Sequence, residues 1–374
     1  MKNINVHLQY PWKFPDSTYY KSLIENKPEG INYLNISSLN KGATTSLSKF
    51  FLSNFIKKNI RSIISKVNFT KINAHLTKSK EGYELIHCTH CLSKNKNKPW
   101  ITDIEGLFSL QIADELTKKG KDKIRKLLLR ENCKKILPWT YNIKKELIRE
   151  FPEIKDKVEV VYPAIPSVKN LNKSKNKKLK IIYVSRYFDL KGGKIALEVM
   201  RRLLQREDIE CIVVSDVPEE LKKEYKEIKI YNIIPQEELF KLMEKSDIFL
   251  YPSPVDTFGF SLLEAMSFGL PIVTVNANQT ESLDEIVKHY DTGMIINAKG
   301  DYNYKNPGKK EERIIESLVY WSKILIIFDK LRKEMSLNCL NEIKNGKFSI
   351  KKRNEKLLKI YKEAIDNESV TTKK

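Results

Sequence analysis

The chain has 374 residues, 41% of them hydrophobic, and a formal net charge of +21, which is enough apolar material for one large core and more naturally two. Charge interrupts apolar stretches such as LKIIYVS and KILIIFD well short of the roughly 18 residues a membrane-spanning helix needs. MKNINVHLQYPWKF has no signal-peptide pattern, and five scattered cysteines, an odd number, point to a reducing, cytoplasmic setting.

The charge is uneven. Residues 1–150 hold 28 Lys/Arg against 13 Asp/Glu, whereas residues 151–374 hold 40 against 34. The imbalance suits an anionic partner for the first half, such as a membrane surface, a phosphorylated substrate or nucleic acid. It equally suits a Lys-rich solvated surface.

In chain order, INVHLQY, INYLNIS, KINAHLT, ELIHCT, WITDIE, KKILPWT and VEVVYPA read as short strands of the first half. ADELTKKG and KDKIRKLLLREN are helical stretches between them. SLSKFFLSNFIKKNIRSIISKVNF, residues 46–69, spaces Leu47, Phe51, Phe55, Ile56, Ile60, Ile63 and Val67 at near-helical intervals. Lys57, Lys58, Arg61 and Lys66 lie between them. This basic amphipathic helix suits either an anionic bilayer or a core-facing position. PSVKNLNKSKNKK, near residues 165–178, has no periodicity and reads as a linker. Beyond it LKIIYVS, IECIVVS, IKIYNII, DIFLYPS, PIVTVNA and GMIIN are apolar runs of strand length, the first five each followed by a helical pattern. Strands apolar on both faces and separated by helices predict parallel sheets covered on both sides, in two doubly wound α/β domains.

Two stretches hold the candidate chemistry. DIFLYPSPVDTFGFSLLEAMSFGLPIVT predicts a strand over Asp247–Tyr251, then a proline-rich loop, then a helix from about Thr257–Phe258 to Gly269. Asp256 or Thr257 would cap that helix and leave N–H groups for an anion, and Gly259 would let a ligand approach the backbone. IIYVSRYFDLKGGKIALEVMRRL places Arg186 at a strand's C-terminal end and Lys191 five residues on.

These motifs, with NIIPQEELFKLMEKSDIFLYPS, resemble the retaining glycosyltransferases of family 4 over residues 179–290, and ELIHCTH, KPWITDIEG and KVEVVYPAIP follow in the family's order. The resemblance implies a GT-B fold, with two Rossmann-like doubly wound domains facing across an interdomain cleft. The domains are expected as 1–165 for the acceptor, 166–345 for the nucleotide sugar, and 346–374 as a helix packing back towards the first. The implied reaction moves a sugar from a UDP- or GDP-sugar to a hydroxyl of a glycan or lipid-linked acceptor, with retention of anomeric configuration. No cofactor or metal is expected, and no nucleic-acid partner. Arg186, Lys191 and the N–H groups of Thr257, Phe258, Gly259, Phe260 and Ser261 would hold the diphosphate, replacing the cation that other folds use. Glu264 would accept from the ribose hydroxyls and Asp256 would face the transferred sugar. The leaving diphosphate is expected to help deprotonate the acceptor.

Three departures stand out. The family's usual first Glu is Asp256, one methylene shorter. Where the family places a His-Gly pair, this chain has Glu105-Gly106, an anion facing a leaving diphosphate, with Asp103 a neighbouring candidate. The first strand lacks the glycine-rich loop many members set against the phosphates. A GT-B nucleotide-sugar epimerase and a catalytically degenerate binding or scaffold protein remain as alternatives. Cytoplasmic residence with peripheral contact at the membrane face, through residues 46–69, is the accompanying expectation.

ELIHCTHC packs His87, Cys88, His90 and Cys91 into five residues. No second CxxC exists, and strand alternation turns neighbouring side chains to opposite faces, which disfavours a shared metal ion. The stretch reads instead as a strand end at the active-site rim, with His87, His90 or both near Glu105 and the two cysteines packing.

Overall fold

The computed structural model describes residues 3–10, 17–36, 71–77, 82–111, 116–168, 178–206, 208–277, 280, 282–300, 302 and 310–369. The helix expected over residues 46–69 lies outside them. The chain forms two compact units, one of Met1–Ala164 with Ile350–Lys374, the other of Ile165–Ser349.

The first unit runs β1 (Ile4–Gln9), α1 (Thr18–Glu25), β2 (Ile31–Leu34), β3 (Ala74–His75), β4 (Leu85–Thr89), β5 (Leu92–Ser93), β6 (Trp100–Ile104), α2 (Lys118–Leu128), β7 (Cys133–Pro138) and α3 (Tyr141–Glu150). Its main sheet has the order β2-β1-β4-β6-β7, and β3 pairs with β5 apart from it. All these pairings are parallel. Every residue of β4 and β6 is buried, so the polar His87, Thr89, Thr102 and Asp103 among them are enclosed with their partners. The Thr117 and Thr140 hydroxyls cap α2 and α3 by accepting from Gly120 N and Ile143 N.

VEVVYPA is not a full strand, although two of its amides donate to the carbonyls of Ile136 and Pro138. Its pairing is limited to a single bridge, Ile136 with Val158, because Pro138 has no N–H with which to return the bond. INYLNIS stops early, since Asn35 turns to φ +69° directly after β2.

The second unit runs β8 (Leu179–Val184), α4 (Gly193–Leu203), β9 (Ile209–Val214), α5 (Glu219–Glu224), β10 (Lys229–Tyr231), α6 (Gln236–Glu244), β11 (Ile248–Tyr251), α7 (Phe260–Ser267), β12 (Ile272–Asn276), α8 (Leu283–Ile286), β13 (Gly293–Asn297), α9 (Lys310–Ile327) and α10 (Asp329–Lys344). Its parallel sheet has the order β10-β9-β8-β11-β12-β13. Tyr183, Leu197, Met200, Leu250, Val273 and Leu318 are among the side chains of its core.

The last helix, α11 (Ile350–Ser369), belongs to the first unit and packs across β4 and β7. Arg353, Leu357, Ile360, Tyr361 and Ala364 are its buried stripe, at helical spacing. The Arg353 guanidinium donates to Ser22 Oγ at 3.0 Å and to the carbonyls of Ser22 and Asn26, satisfying the end of α1.

Candidate functional site

In doubly wound sheets, ligands bind beyond the C-terminal ends of the strands where the order reverses. In the second unit that switch point lies between β8 and β11. The loop after β8 carries Arg186 and Lys191, and the loop after β11 carries Asp256.

The two loops are held together closely. Gly192 adopts φ +75°, and a Cβ there would sit 2.1 Å from the Pro252 carbonyl oxygen, so a side chain has no room. Tyr302 donates to the same carbonyl at 3.1 Å, and Tyr183 donates to the Lys191 carbonyl at 3.2 Å. The Lys191 ammonium donates to the Val255 carbonyl at 2.6 Å and stands 3.3 Å from Asp256 Oδ1. Asp256 also accepts from Thr257 N at 2.8 Å and from the Tyr251 hydroxyl. Burial, and then the neighbouring Asp256 charge, push the Tyr251 phenol well up, so it stays a donor. Lys191 and Asp256 thus form a neutralised pair at the switch point. A phosphate arriving there would compete with Asp256 for the ammonium.

The following helix begins later than expected. It starts at Phe260, its N-cap is Gly259 at φ +90°, and no side chain caps it. The Asp256 carboxylate is already committed to Lys191, Tyr251 and Thr257 N, and the glycine makes the turn that a capping side chain would otherwise stabilise. Thr257 and Phe258 therefore precede the helix. The Phe258 side chain is buried against Phe260 and Phe348, which leaves its backbone as the part that could meet a ligand. Gly259 adjoins Asp256, whose Oδ2 would be 3.5 Å from a Cβ at that glycine. Ser261 lies in the first turn, and Glu264 is half-buried further along α7. Arg186 is exposed and makes no ion pair among the described residues.

In the first unit the order reverses between β1 and β4. Beyond β4 stands His90 and beyond β6 stands Glu105, with His90 Nε2 3.7 Å from Glu105 Oε2. Behind them Asp103 is fully enclosed. Its Oδ2 accepts from His87 Nε2 at 3.1 Å and from the Tyr19 hydroxyl, and its Oδ1 accepts from His90 N at 3.0 Å. Burial pushes the Asp103 carboxyl up, but the His87 hydrogen bond, the His90 and His87 charges and the Tyr19 hydroxyl outweigh it and hold the group below the usual carboxylate range. His87 Nδ1 meets the Tyr361 hydroxyl at 2.8 Å, and Tyr361 meets Tyr33 at 2.8 Å. A cavity of about 10 Å³, room for about one water, lies among Tyr19, His87, Asp103, Trp139 and Arg353.

This network accounts for ELIHCTHC. The histidines face a carboxylate, while Gln9 Nε2 donates to Cys88 Sγ at 3.5 Å and Cys91 Sγ donates to the Gln9 carbonyl at 3.3 Å. Both thiols are buried, and burial pushes that of Cys88 well up. No group of three or more His, Cys, Asp or Glu among the described residues could hold a metal ion. Sequence reasoning missed Tyr19, Tyr20, Tyr361 and Arg353, since no local motif marks an aromatic or arginine that meets its partner across the fold.

Residues 166–305 match the family model described as Glycosyl transferases group 1. A curated relative, an uncharacterized glycosyltransferase of Methanocaldococcus jannaschii, is 24% identical over 258 residues, covering 59% of this chain and 63% of its own length. The chain spans 59% and 63% of the length of two curated relatives it matches, that one included. Among solved structures, a glycosyltransferase from Rickettsia africae is similar at a TM-score of 0.65 and 17% identity, over 98% of this chain and 99% of its own. An Anabaena protein in complex with UDP is similar at a TM-score of 0.59 and 13% identity, over 97% and 100%. The chain has the GT-B fold of these structures, two α/β domains each built on a parallel sheet. No helix among the described residues is long and apolar enough to cross a membrane.

Proposed function

We propose that the chain is a family 4 glycosyltransferase that moves a sugar from a nucleotide-sugar donor to a hydroxyl acceptor, with retention of anomeric configuration. The observation that carries this reading is the Lys191–Asp256 pair, 3.3 Å apart at the switch point of the unit that matches the group 1 family model. Lys191, Arg186 and the N-terminus of α7 would take the diphosphate, whose growing charge in the transition state rewards preorganised donors. Glu264 would take the ribose hydroxyls, and Asp256, freed as the phosphate claims Lys191, would face the sugar. With these cations in place, the reaction would proceed without a metal ion.

The UDP bound by the Anabaena neighbour supports a UDP-sugar donor, with a GDP-sugar as the second choice. The acceptor would be a glycan or lipid-linked hydroxyl bound by the first unit. Cytoplasmic residence with peripheral contact to an anionic membrane through residues 46–69 would bring a lipid-linked acceptor within reach, and vesicle co-sedimentation tests it.

The experiment is a thermal-shift screen of UDP-, GDP- and ADP-sugars, followed by release of nucleoside diphosphate with and without EDTA. One nucleotide class should raise the Tm of the wild type, Glu264→Ala should abolish that rise, and the product's anomeric proton should show retention. Interconversion of sugars without nucleotide release would identify an epimerase. An inert protein that binds no nucleotide sugar would be a scaffold.

A further inference from the structure

We propose that the first unit carries a docking surface for an anionic bilayer, formed by Leu76, Lys94, Lys96, Lys98, Leu129 and Arg130 and separate from the contact expected of residues 46–69. The net charge of the chain is concentrated in this unit. Its two segments, Met1–Ala164 and Ile350–Lys374, hold 38 Lys/Arg against 20 Asp/Glu, whereas the second unit holds 30 against 27. A charge excess alone names no surface, but the packing around β5 gathers part of it in one place.

The pairing of β3 with β5 sets His75 beside Ser93, and Lys94 N donates to the His75 carbonyl at 2.7 Å, so Leu76 and Lys94 leave that small sheet side by side. Arg130 Nη1 donates to the Lys94 carbonyl at 3.4 Å, which brings in the turn after α2 and with it Leu129. The loop from Lys94 to Lys98 is held by asparagines. Asn95 Oδ1 accepts from Asn97 N and Lys98 N, both at 2.9 Å. Asn132 Nδ2 donates to the carbonyls of Asn95 and Lys98 at 3.0 and 2.9 Å. With the backbone fixed in this way the side chains of Lys94, Lys96 and Lys98 are exposed, and neither they nor Arg130 form an ion pair among the described residues. Their field reaches His75, whose charged form is disfavoured first by burial and then by the Lys94 and Lys71 charges. Glu131 is the only acid in residues 92–98 and 127–134.

The leucines decide which anion fits. A single exposed leucine is ordinary. Here Leu76 is 63% exposed and Leu129 is 44% exposed, each beside a cation of the same patch. Cations that attract lipid phosphates, with apolar side chains free to enter the headgroup region, are what an interfacial contact needs. A nucleic acid would use the cations but not the leucines, and none of the six residues offers a ring for a base to stack on. The patch also avoids the candidate site. Trp100 N, at the start of β6, donates to the Asn132 carbonyl, so Lys98 and Asn132 lie at the N-terminal edge of the sheet, opposite His90 and Glu105. The surface would hold the unit on a membrane without covering those residues.

The test is co-sedimentation of the full chain with vesicles of phosphatidylcholine, alone or with about 30% phosphatidylglycerol, at low and high salt. The wild type should bind the anionic vesicles, leave the neutral ones, and come off as salt rises. The triple variant Lys94→Gln, Lys96→Gln, Lys98→Gln should bind roughly 100-fold more weakly, at about fivefold per lysine. The double variant Leu76→Ser, Leu129→Ser should bind vesicles about 10-fold more weakly and keep whatever retention the wild type shows on single-stranded RNA. These side chains are exposed, so both variants should unfold in urea at the wild-type midpoint. Vesicle binding at the wild-type level in the lysine variant would overturn the surface, whatever residues 46–69 contribute. Loss of RNA binding in the lysine variant, with vesicle binding unchanged in the leucine variant, would overturn the bilayer as its partner. Failure of the wild type to bind anionic vesicles would overturn the proposal outright.

Discussion

His87 and Tyr361 are 274 residues apart in the chain, yet His87 Nδ1 lies 2.8 Å from the Tyr361 hydroxyl. The contact joins the last helix of the chain to the middle of β4. It continues through Tyr33 on one side and Asp103 on the other. Tyr361→Phe keeps the ring and its packing but leaves His87 Nδ1 and the Tyr33 hydroxyl without that partner in a buried site. A loss of about 1–3 kcal/mol of stability is expected, measured by urea unfolding. A change within error would show that the His87–Asp103 bond stands without the helix.

Asp103 gives the same network a pH signature. Its folded carboxyl lies below the usual range, chiefly because the His87 bond and the His90 and His87 charges overcome the cost of burial. A group with a depressed folded value favours folding at pH above its unfolded value, roughly 3.9, and that gain disappears as pH falls through the folded one. The stability difference between the wild type and Asp103→Asn should therefore be large at neutral pH and shrink on acidification below about 4. Urea midpoints taken across that window check it. A difference that stays constant would mean that the carboxylate's charge contributes nothing.

Much of the second unit is legible because its strands are apolar on both faces and its helices follow them at short intervals. The first unit is less so. Nothing near Leu85–Thr89 announces that Tyr361 will bond to His87, and nothing near Arg353 announces that its guanidinium will close α1. Such partners are set by tertiary packing across hundreds of residues. The late start of α7 has a local cause that propensity misses. Asp256 and Thr257 look like N-caps, but Asp256 is drawn to Lys191 and Tyr251, and Gly259 turns the chain instead. His90 is similar, since its positive φ comes from its place above Asp103 rather than from its residue type.

Gly192 tests how closely the two loops of the second unit depend on each other. A side chain there meets both the left-handed backbone and the Pro252 carbonyl 2.1 Å away. Backbone on the other side cannot swing aside as a flexible side chain would. Gly192→Ala should cost more than about 1 kcal/mol and displace Lys191 from Asp256, so the nucleotide-induced Tm rise should weaken as well. Normal stability with normal nucleotide binding would show that the loops can separate at little cost.

The Lys191–Asp256 pair makes the sharpest distinction between holding a phosphate and acting on a sugar. In the resting site the ammonium is shared by the Val255 carbonyl and Asp256, 2.6 and 3.3 Å away. Lys191→Met removes the cation and should weaken nucleoside diphosphate binding roughly 10- to 100-fold, the range of a charge-assisted hydrogen bond. Asp256→Asn removes the competitor and a nearby negative charge while keeping the side chain's size. It should leave nucleoside diphosphate binding unchanged or tighter, yet lower the rate of sugar transfer. Calorimetric titration with UDP, beside turnover on the donor found by screening, separates the two effects. If Asp256→Asn weakens UDP binding as much as Lys191→Met does, the aspartate serves to hold the lysine in place, and its assignment to the sugar fails.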